Sequence, residues 1–279
     1  MRAGPAVPTA GRAGAGGTAM RVAAMVRRYT FLLLRSWPRI VDIVYWPTVQ
    51  LLMWGFLQTW LASQSGTLAT MGGLLIGAVL LWDILFRGQI GFSVTFLEEM
   101  WSRNLGHLMI SPLRPAEFAL SLMVVSVLRV LIGVIPVSGL AILFFGFNAY
   151  DMGLMLVVFF LNLMMTSWAI GLVVCGLLVR YGLGVENLAW GFGFILLPLA
   201  CVYYPLDTLP GWLQPVSMAL PPTHVFEGMR ALLLNGEARS GPLALALALN
   251  MTYMALGFWT FLHQLGRARE EGALLQGGE

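Results

Sequence analysis

Six stretches of this chain stay apolar over lengths that only a bilayer demands: residues 40–61, 71–96, 116–147, 153–179, 188–204 and 242–265. A helix crossing the hydrocarbon core needs about 20 mostly apolar residues, because it must satisfy its own backbone hydrogen bonds where water is absent. Six such runs point to an all-α polytopic membrane protein with six transmembrane helices. Composition agrees. Of 279 residues, 58% are hydrophobic and 10% charged, against about 25% charged in an average soluble domain; the mean hydropathy is +0.80. The run at 116–147 exceeds one crossing, so it is expected to tilt or to extend into the aqueous phase. Between the last two runs the chain is apolar but broken by Pro205, Pro210, Pro215, Pro221 and Pro222. Short apolar pieces of this kind form interfacial or re-entrant helices, expected here at 206–234.

The 16 basic side chains are all arginine. A phosphate-cradling P-loop requires a lysine, so any ATP that drives this protein is bound by another chain. Arg21, Arg27, Arg28, Arg35 and Arg39 precede the first run. Arg103 and Arg114 lie between the second and third, Arg180 between the fourth and fifth, and Arg267 and Arg269 after the sixth; the opposite loops hold only Arg230 and Arg239. The excess of arginine marks the cytoplasmic side. Both termini are then cytoplasmic, in keeping with an even number of crossings. Residues 1–20 are rich in Ala, Gly and Pro and lack the apolar h-region of a signal peptide, so they read as a disordered tail, and 270–279 as a C-terminal tail. An all-arginine, Ala/Gly-rich chain fits a GC-rich bacterium and its cytoplasmic membrane.

From 21 to 38, Arg21, Arg28 and Arg35 recur every seven residues, opposite Val22, Met25, Tyr29, Leu32 and Leu33. This pattern suits an amphipathic helix lying in the membrane surface; the plainer reading is a basic flank. The most polar stretch is FLEEMWSRNLGHLMISPLRP, residues 96–115. Glu98, Glu99, Arg103 and His107 fall at helical spacing, and Glu99 with Arg103 is an i,i+4 pair in the favourable order. Trp101, Leu105 and Leu108 give apolar contacts. Ser111-Pro112 ends the segment, and Pro115 suits the first turn of the next helix. A short cytoplasmic amphipathic helix is expected over 98–110, with a solvated loop as the plain alternative.

Charges at membrane depth cost about 2.5–3.5 kcal/mol each on insertion scales. Asp83 and Arg87, one turn apart, and Arg129 are therefore candidates for a translocation path or an intramembrane charge network, or else form a structural ion pair. Gln50 and Gln58 on the first run and Asn162 on the fourth line a path or join helices by hydrogen bonds. Gly73 with Gly77, and Ser167, Gly171 and Cys175, give small-residue faces for close packing. The cysteines, Cys175 and Cys201, read as small buried hydrophobes. His107, His224 and His263 lack metal-ligand spacing, so no metal site is expected. No nucleophile elbow or metalloprotease motif is present, so no enzyme is expected, although His224 and Glu227 share a helical face. Three function classes compete: a permease driven by a partner ATPase, an ion-coupled secondary transporter relaying through Asp83, Arg87 and Arg129, and an intramembrane enzyme.

EEMWSRNLGHLMISPLRPAEF resembles the "E-x-x-x-G-x-L-x-x-L-x-x-S-P-L" segment of ABC-transporter permeases of the type-2, exporter class. YYPLDTLPGWLQPVSMALPPTHVFEGMRALLLNG resembles the region before that family's last span. The resemblance implies one transmembrane domain over 21–269. It implies a membrane subunit that pairs with a second copy of itself and with two copies of a P-loop ATP-binding subunit. ATP and magnesium would sit on that partner, with no cofactor on this chain, membrane lipid around it and no nucleic acid. It makes 21–38 an interface helix carrying Arg21, Arg28 and Arg35. It makes 98–110 a coupling helix that meets the ATPase through Glu98, Glu99, Trp101, Arg103, Asn104 and His107. It assigns 206–234 to extracellular helices closing an outer gate, with Pro205, Pro210, Trp212, His224 and Glu227. The family often has a Glu-Arg-Glu-Arg-rich sequence where this chain has EEMWSRN, which implies a less charged contact.

Overall fold

The computed structural model describes residues 15–64, 73–238 and 240–271. Among these residues ten α-helices follow one another: α1 (Ala15–Leu34), α2 (Trp37–Gln64), α3 (Leu74–Trp101), α4 (Leu105–Ile110), α5 (Pro115–Phe145), α6 (Leu154–Tyr181), α7 (Leu188–Leu199), α8 (Gln214–Met218), α9 (Pro221–Asn235) and α10 (Ser240–Glu270). Arg239 and the segments 1–14 and 272–279 lie outside the described residues, as does the start of the run expected at 71.

Five helices are long and apolar enough to cross a membrane: α2, α3, α5, α6 and α10. Each has 28 to 31 residues, about 42–46 Å at 1.5 Å per residue. They outreach a hydrocarbon core of about 30 Å, so their ends emerge into polar surroundings. The run expected at 188–204 behaves differently. Its helix α7 has 12 residues, about 18 Å, too short to cross alone. Pro198 lies in its last turn, and Cys201 takes a left-handed φ of 52°. The turn that follows is pinned by Arg230, which donates to the Val202 carbonyl at 3.2 Å, and by the Tyr204 hydroxyl on the Pro198 carbonyl at 2.7 Å. By length and composition, five single helices among the described residues qualify as spans, against the six expected.

Two further boundaries move. The N-terminal helix covers 15–34 rather than 21–38, so residues 15–20 are helical rather than part of a disordered tail. The second spanning helix runs on through Glu98 and Glu99 to Trp101, which leaves only Leu105–Ile110 for the short helix after it. The apolar periodicity of the span carries the two glutamates to its end.

Helix α6 is the hub, packed between α10 and α3; α3 lies on α5, and α5 supports α2 and α1. Small residues make these approaches close. Ser167 on α6 donates to the Leu85 carbonyl of α3 at 2.7 Å, and Gly171 faces the Phe92 ring, which a Cβ would meet at 2.7 Å. On the other side of α6, a Cβ on Gly257 would stand 2.9 Å from the Ala169 carbonyl. Asn162, Thr166 and Asn250 form a buried polar clasp between α6 and α10, with Thr166 donating to Asn250 Oδ1 at 2.7 Å and Asn250 Nδ2 donating to the Asn162 carbonyl at 2.9 Å. Thus α3 is mostly buried, while α2 and α10 turn most of their surface outward. Trp37, Tyr45, Trp46 and Trp60 on α2, and Met251 and Trp259 on α10, are exposed on that outward surface.

Gly257→Val is expected to destabilise the bundle by about 1–3 kcal/mol, the usual cost of overpacking. Gly139→Ala, with nothing within 4 Å of its Cβ position, should be silent. Thermal unfolding of the detergent-solubilised chain compares the two.

Candidate functional site

At the C-terminal end of α3 the chain makes a tight corner. After Trp101, Arg103 adopts a left-handed φ of 53°, and Asn104 precedes α4. The Asn104 amide N–H bonds back to the Glu99 carbonyl at 2.9 Å, while its side-chain Nδ2 donates to Glu99 Oε2 at 2.6 Å. Leu105 is buried among the apolar side chains of the cluster at this end of the bundle, and Leu108 and Met109 pack against it. Trp101, Arg103, His107 and Ile110 face outward, Ile110 at 83% exposure. Trp101 Nε1 donates to Glu186 Oε2 at 3.1 Å, in the loop before α7, and Arg269 of α10 reaches Met109. The short helix therefore touches the ends of the bundle on one side and presents an uncovered face on the other.

The glutamates turn inward. Glu99 is 2% exposed and pairs with Arg28 of α1 at 2.9 Å. Glu98 is shared: Arg39 at the start of α2 lies 3.4 Å from one oxygen, and Arg129 of α5 lies 3.2 Å from the other. A desolvated carboxylate requires such partners. A second clamp holds α1 to the start of α5. Glu117, buried, accepts from Arg21 Nε and Thr18 Oγ1, each at 2.8 Å, and caps its own helix by accepting the Arg114 amide at 2.9 Å. The hydrogen bond to Glu117 raises the Arg21 guanidinium above its ordinary pKa, so it stays charged. Tyr29, between these clamps, is 3% exposed; burial first, then the Glu99 charge, pushes its phenol up.

These contacts change the reading of α1. Arg21 and Arg28 do not oppose the apolar stripe; they share its protein-facing side with Met25, Tyr29 and Leu33. Arg35 is exposed. Of the six residues expected to meet an ATPase, Trp101, Arg103 and His107 are exposed, whereas Glu98, Glu99 and Asn104 are engaged within the chain.

The residues expected within the membrane separate into local pairs. Asp83, 1% exposed, faces Arg87 Nε at 3.5 Å, and neither of its carboxylate oxygens has a hydrogen-bond partner. Arg129 belongs to Glu98 instead. Two glycines make room for the arginine stems, Gly91 beside Arg129 and Gly133 beside Arg87. Gln50 Oε1 is buried without a partner. Gln58 Oε1 accepts the Leu75 amide at 3.1 Å, serving as a cap for α3, whose own N-cap Gly73 has a φ of 92°. Asn162 is held in the clasp with Asn250. The sequence offered helix joining as one of two roles for Asn162; its partner Asn250 escaped that reading, although a lone Asn in an otherwise apolar helix was the available signal.

At the opposite end, Glu227 Oε1 accepts both the Leu206 amide at 2.8 Å and Arg230 at 2.9 Å. Through Arg230 and Val202 these bonds tie the turn after α7 to α9. His224 bonds the Met218 carbonyl at 2.8 Å, closing α8. Pro205, Pro210 and Trp212 are all exposed. Among the described residues no group of three His, Cys, Asp or Glu side chains is placed to hold a metal ion.

The sequence profile of the ABC-2 type transporter family matches residues 21–234. No curated protein matches the chain.

Arg28→Ala leaves Glu99 buried with Asn104 as its remaining side-chain partner and should cost about 1–3 kcal/mol, the penalty of an unmet buried polar group. Adding Glu99→Gln should return part of that loss, a coupling that a double-mutant cycle on thermal unfolding measures.

Proposed function

The chain belongs to the ABC-2 type transporter family, and from that premise we propose that it is the permease subunit of an ATP-driven exporter whose ATP is bound and hydrolysed by a separate chain. Two copies form the membrane unit and two ATP-binding subunits, with their magnesium, sit beneath it. The absence of lysine supports this division of labour, because the chain has no residue for a P-loop.

The carrying observation is the corner at Arg103. The corner and helix α4 offer Trp101, Arg103, His107 and Ile110 outward, while directly behind them Glu98 and Glu99 grip arginines from α1, α2 and α5. A partner that moves α4 thereby moves four helices together. This makes α4 the coupling helix, shorter than the sequence suggests, with the glutamates as its internal linkage rather than its contact surface.

In this arrangement α1 is the interface helix and the inner ends of α3, α5, α6 and α10 face the cytoplasm of a bacterial cell. The short helix α7 and the buried helix α9 supply the remaining crossing, which puts both termini on the cytoplasmic side. Helices α8 and α9, with the Glu227–Arg230 tie, form the outer gate. Asp83, Arg87 and Gln50 are the polar points on the translocation route. An ion relay through Asp83, Arg87 and Arg129 has less support, because Arg129 pairs with Glu98 and Asp83 only with Arg87.

Trp101→Ala and Ile110→Asp are expected to weaken capture of the ATP-binding subunit about tenfold or more, as loss of an interface anchor does, while the chain still inserts and unfolds normally. Co-purification and substrate-stimulated ATP hydrolysis read this. Continued transport in a strain stripped of every candidate ATP-binding partner would overturn the proposal.

A further inference from the structure

Between α2, α3 and α5 lies a cavity of about 280 Å³, lined by Pro38, Arg39, Asp42, Ile43, Val94, Glu98 and Arg129. Its polar groups are unevenly matched. A guanidinium carries five N–H donors. Arg39 and Arg129 each give one hydrogen bond here, both to Glu98, at 3.4 and 3.2 Å. Arg129 Nε is buried and donates to nothing. The wall formed by the two arginines therefore has donors in excess and suits an anion with several acceptor oxygens. Arg39 also sits in the first turn of α2, where the helix dipole favours negative charge. One turn along α2 from Arg39, Asp42 also lines the cavity; it is exposed and makes no hydrogen bond or ion pair among the described residues, beyond its longer-range attraction to Arg87. That side suits a cation with hydrogens to donate.

The setting names the source of such a ligand. The neighbouring outward surface of α2 carries Trp37, Val41, Tyr45 and Trp46, all at least half exposed. Trp and Tyr of this kind mark the level of the lipid headgroups, and basic pockets between helices at that level take lipid heads. The volume is near the low end of the range of about 300–1,000 Å³ for small-molecule pockets, which fits a head but not the chains behind it.

We propose that this cavity binds the head of an ethanolamine phospholipid, with the phosphate on Arg39 and Arg129, the ammonium on Asp42, and the acyl chains along the exposed face of α2. A bound head adds a second anion to arginines that Glu98 already shares, so lipid occupancy tightens or loosens the joint between α2, α3 and α5. The site does not depend on an ATP-binding partner.

The test uses the full chain purified alone in detergent, titrated with short-chain lipids bearing ethanolamine, choline or glycerol phosphodiester heads and read by native mass spectrometry. O-phosphoethanolamine and inorganic phosphate are the lipid-free arms. The ethanolamine lipid should be retained best, because a quaternary choline cannot donate to Asp42 and a glycerol head has no charge for it. Arg39→Gln and Arg129→Gln should each weaken retention about tenfold, the loss of a charge-assisted hydrogen bond. Asp42→Asn should keep binding but erase the preference for ethanolamine over glycerol. Equal retention of all three heads overturns the proposal, as does unchanged retention in Arg39→Gln, whose half-exposed side chain leaves folding secure. Inorganic phosphate binding as tightly as the lipid would overturn the lipid source. No nucleotide or ATPase enters this measurement, so its failure is separate from any failure of coupling.

Discussion

One end of the bundle depends on keeping two carboxylates, Glu98 and Glu99, paired in the last turn of α3. Both are partly or wholly cut off from water, and a desolvated charge without partners costs more than a bundle of marginal stability can absorb. Four elements supply the partners: α1 through Arg28, α2 through Arg39, α5 through Arg129 and the corner through Asn104. The helices here are joined by ion pairs at their ends and by close small-residue contact along their lengths. That division follows from the solvent. Lipid gives apolar surfaces little reason to associate, so packing and polar contacts must do so.

The membrane class, the long helices and the polar corner were all legible in the sequence, because each rests on local periodicity or run length. The failures are tertiary. Apolar content over 188–204 suggested one uninterrupted helix, but the chain turns after Leu199, where Arg230, 28 residues away, holds the Val202 carbonyl. The heptad of arginines in α1 announced an amphipathic helix and misplaced its charged face, since Glu117 and Glu99 lie 96 and 71 residues further on. Periodicity assigns residues to a face; it does not say what that face meets. The same limit governs the site. Trp101, Arg103 and His107 are surface residues, as their surroundings implied, whereas Glu98 and Glu99 on the same short stretch are interior ones.

The polar residues within the membrane sort by whether their hydrogen-bonding capacity is met. Gln58, Asn162, Thr166 and Asn250 are satisfied and join helices. Asp83, Gln50 and Arg129 keep unmet atoms, and unmet buried polar groups in native proteins mark a missing water, ion or ligand. The unmet atoms at Asp83 and Gln50 are acceptors, and the one on Arg129 is a donor. Two different chemistries thus lie among α2, α3 and α5.

The corner after Trp101 has a mechanical meaning of its own. Asn104 is tied to Glu99 twice, once through its backbone and once through its amide, across a turn whose middle residue is left-handed. Such a joint has little slack in bending, so a load on the short helix reaches α3 as torque about its long axis. Rotation of that axis would turn Asp83 and Arg87, four to five turns above, relative to α2 without lengthening any helix.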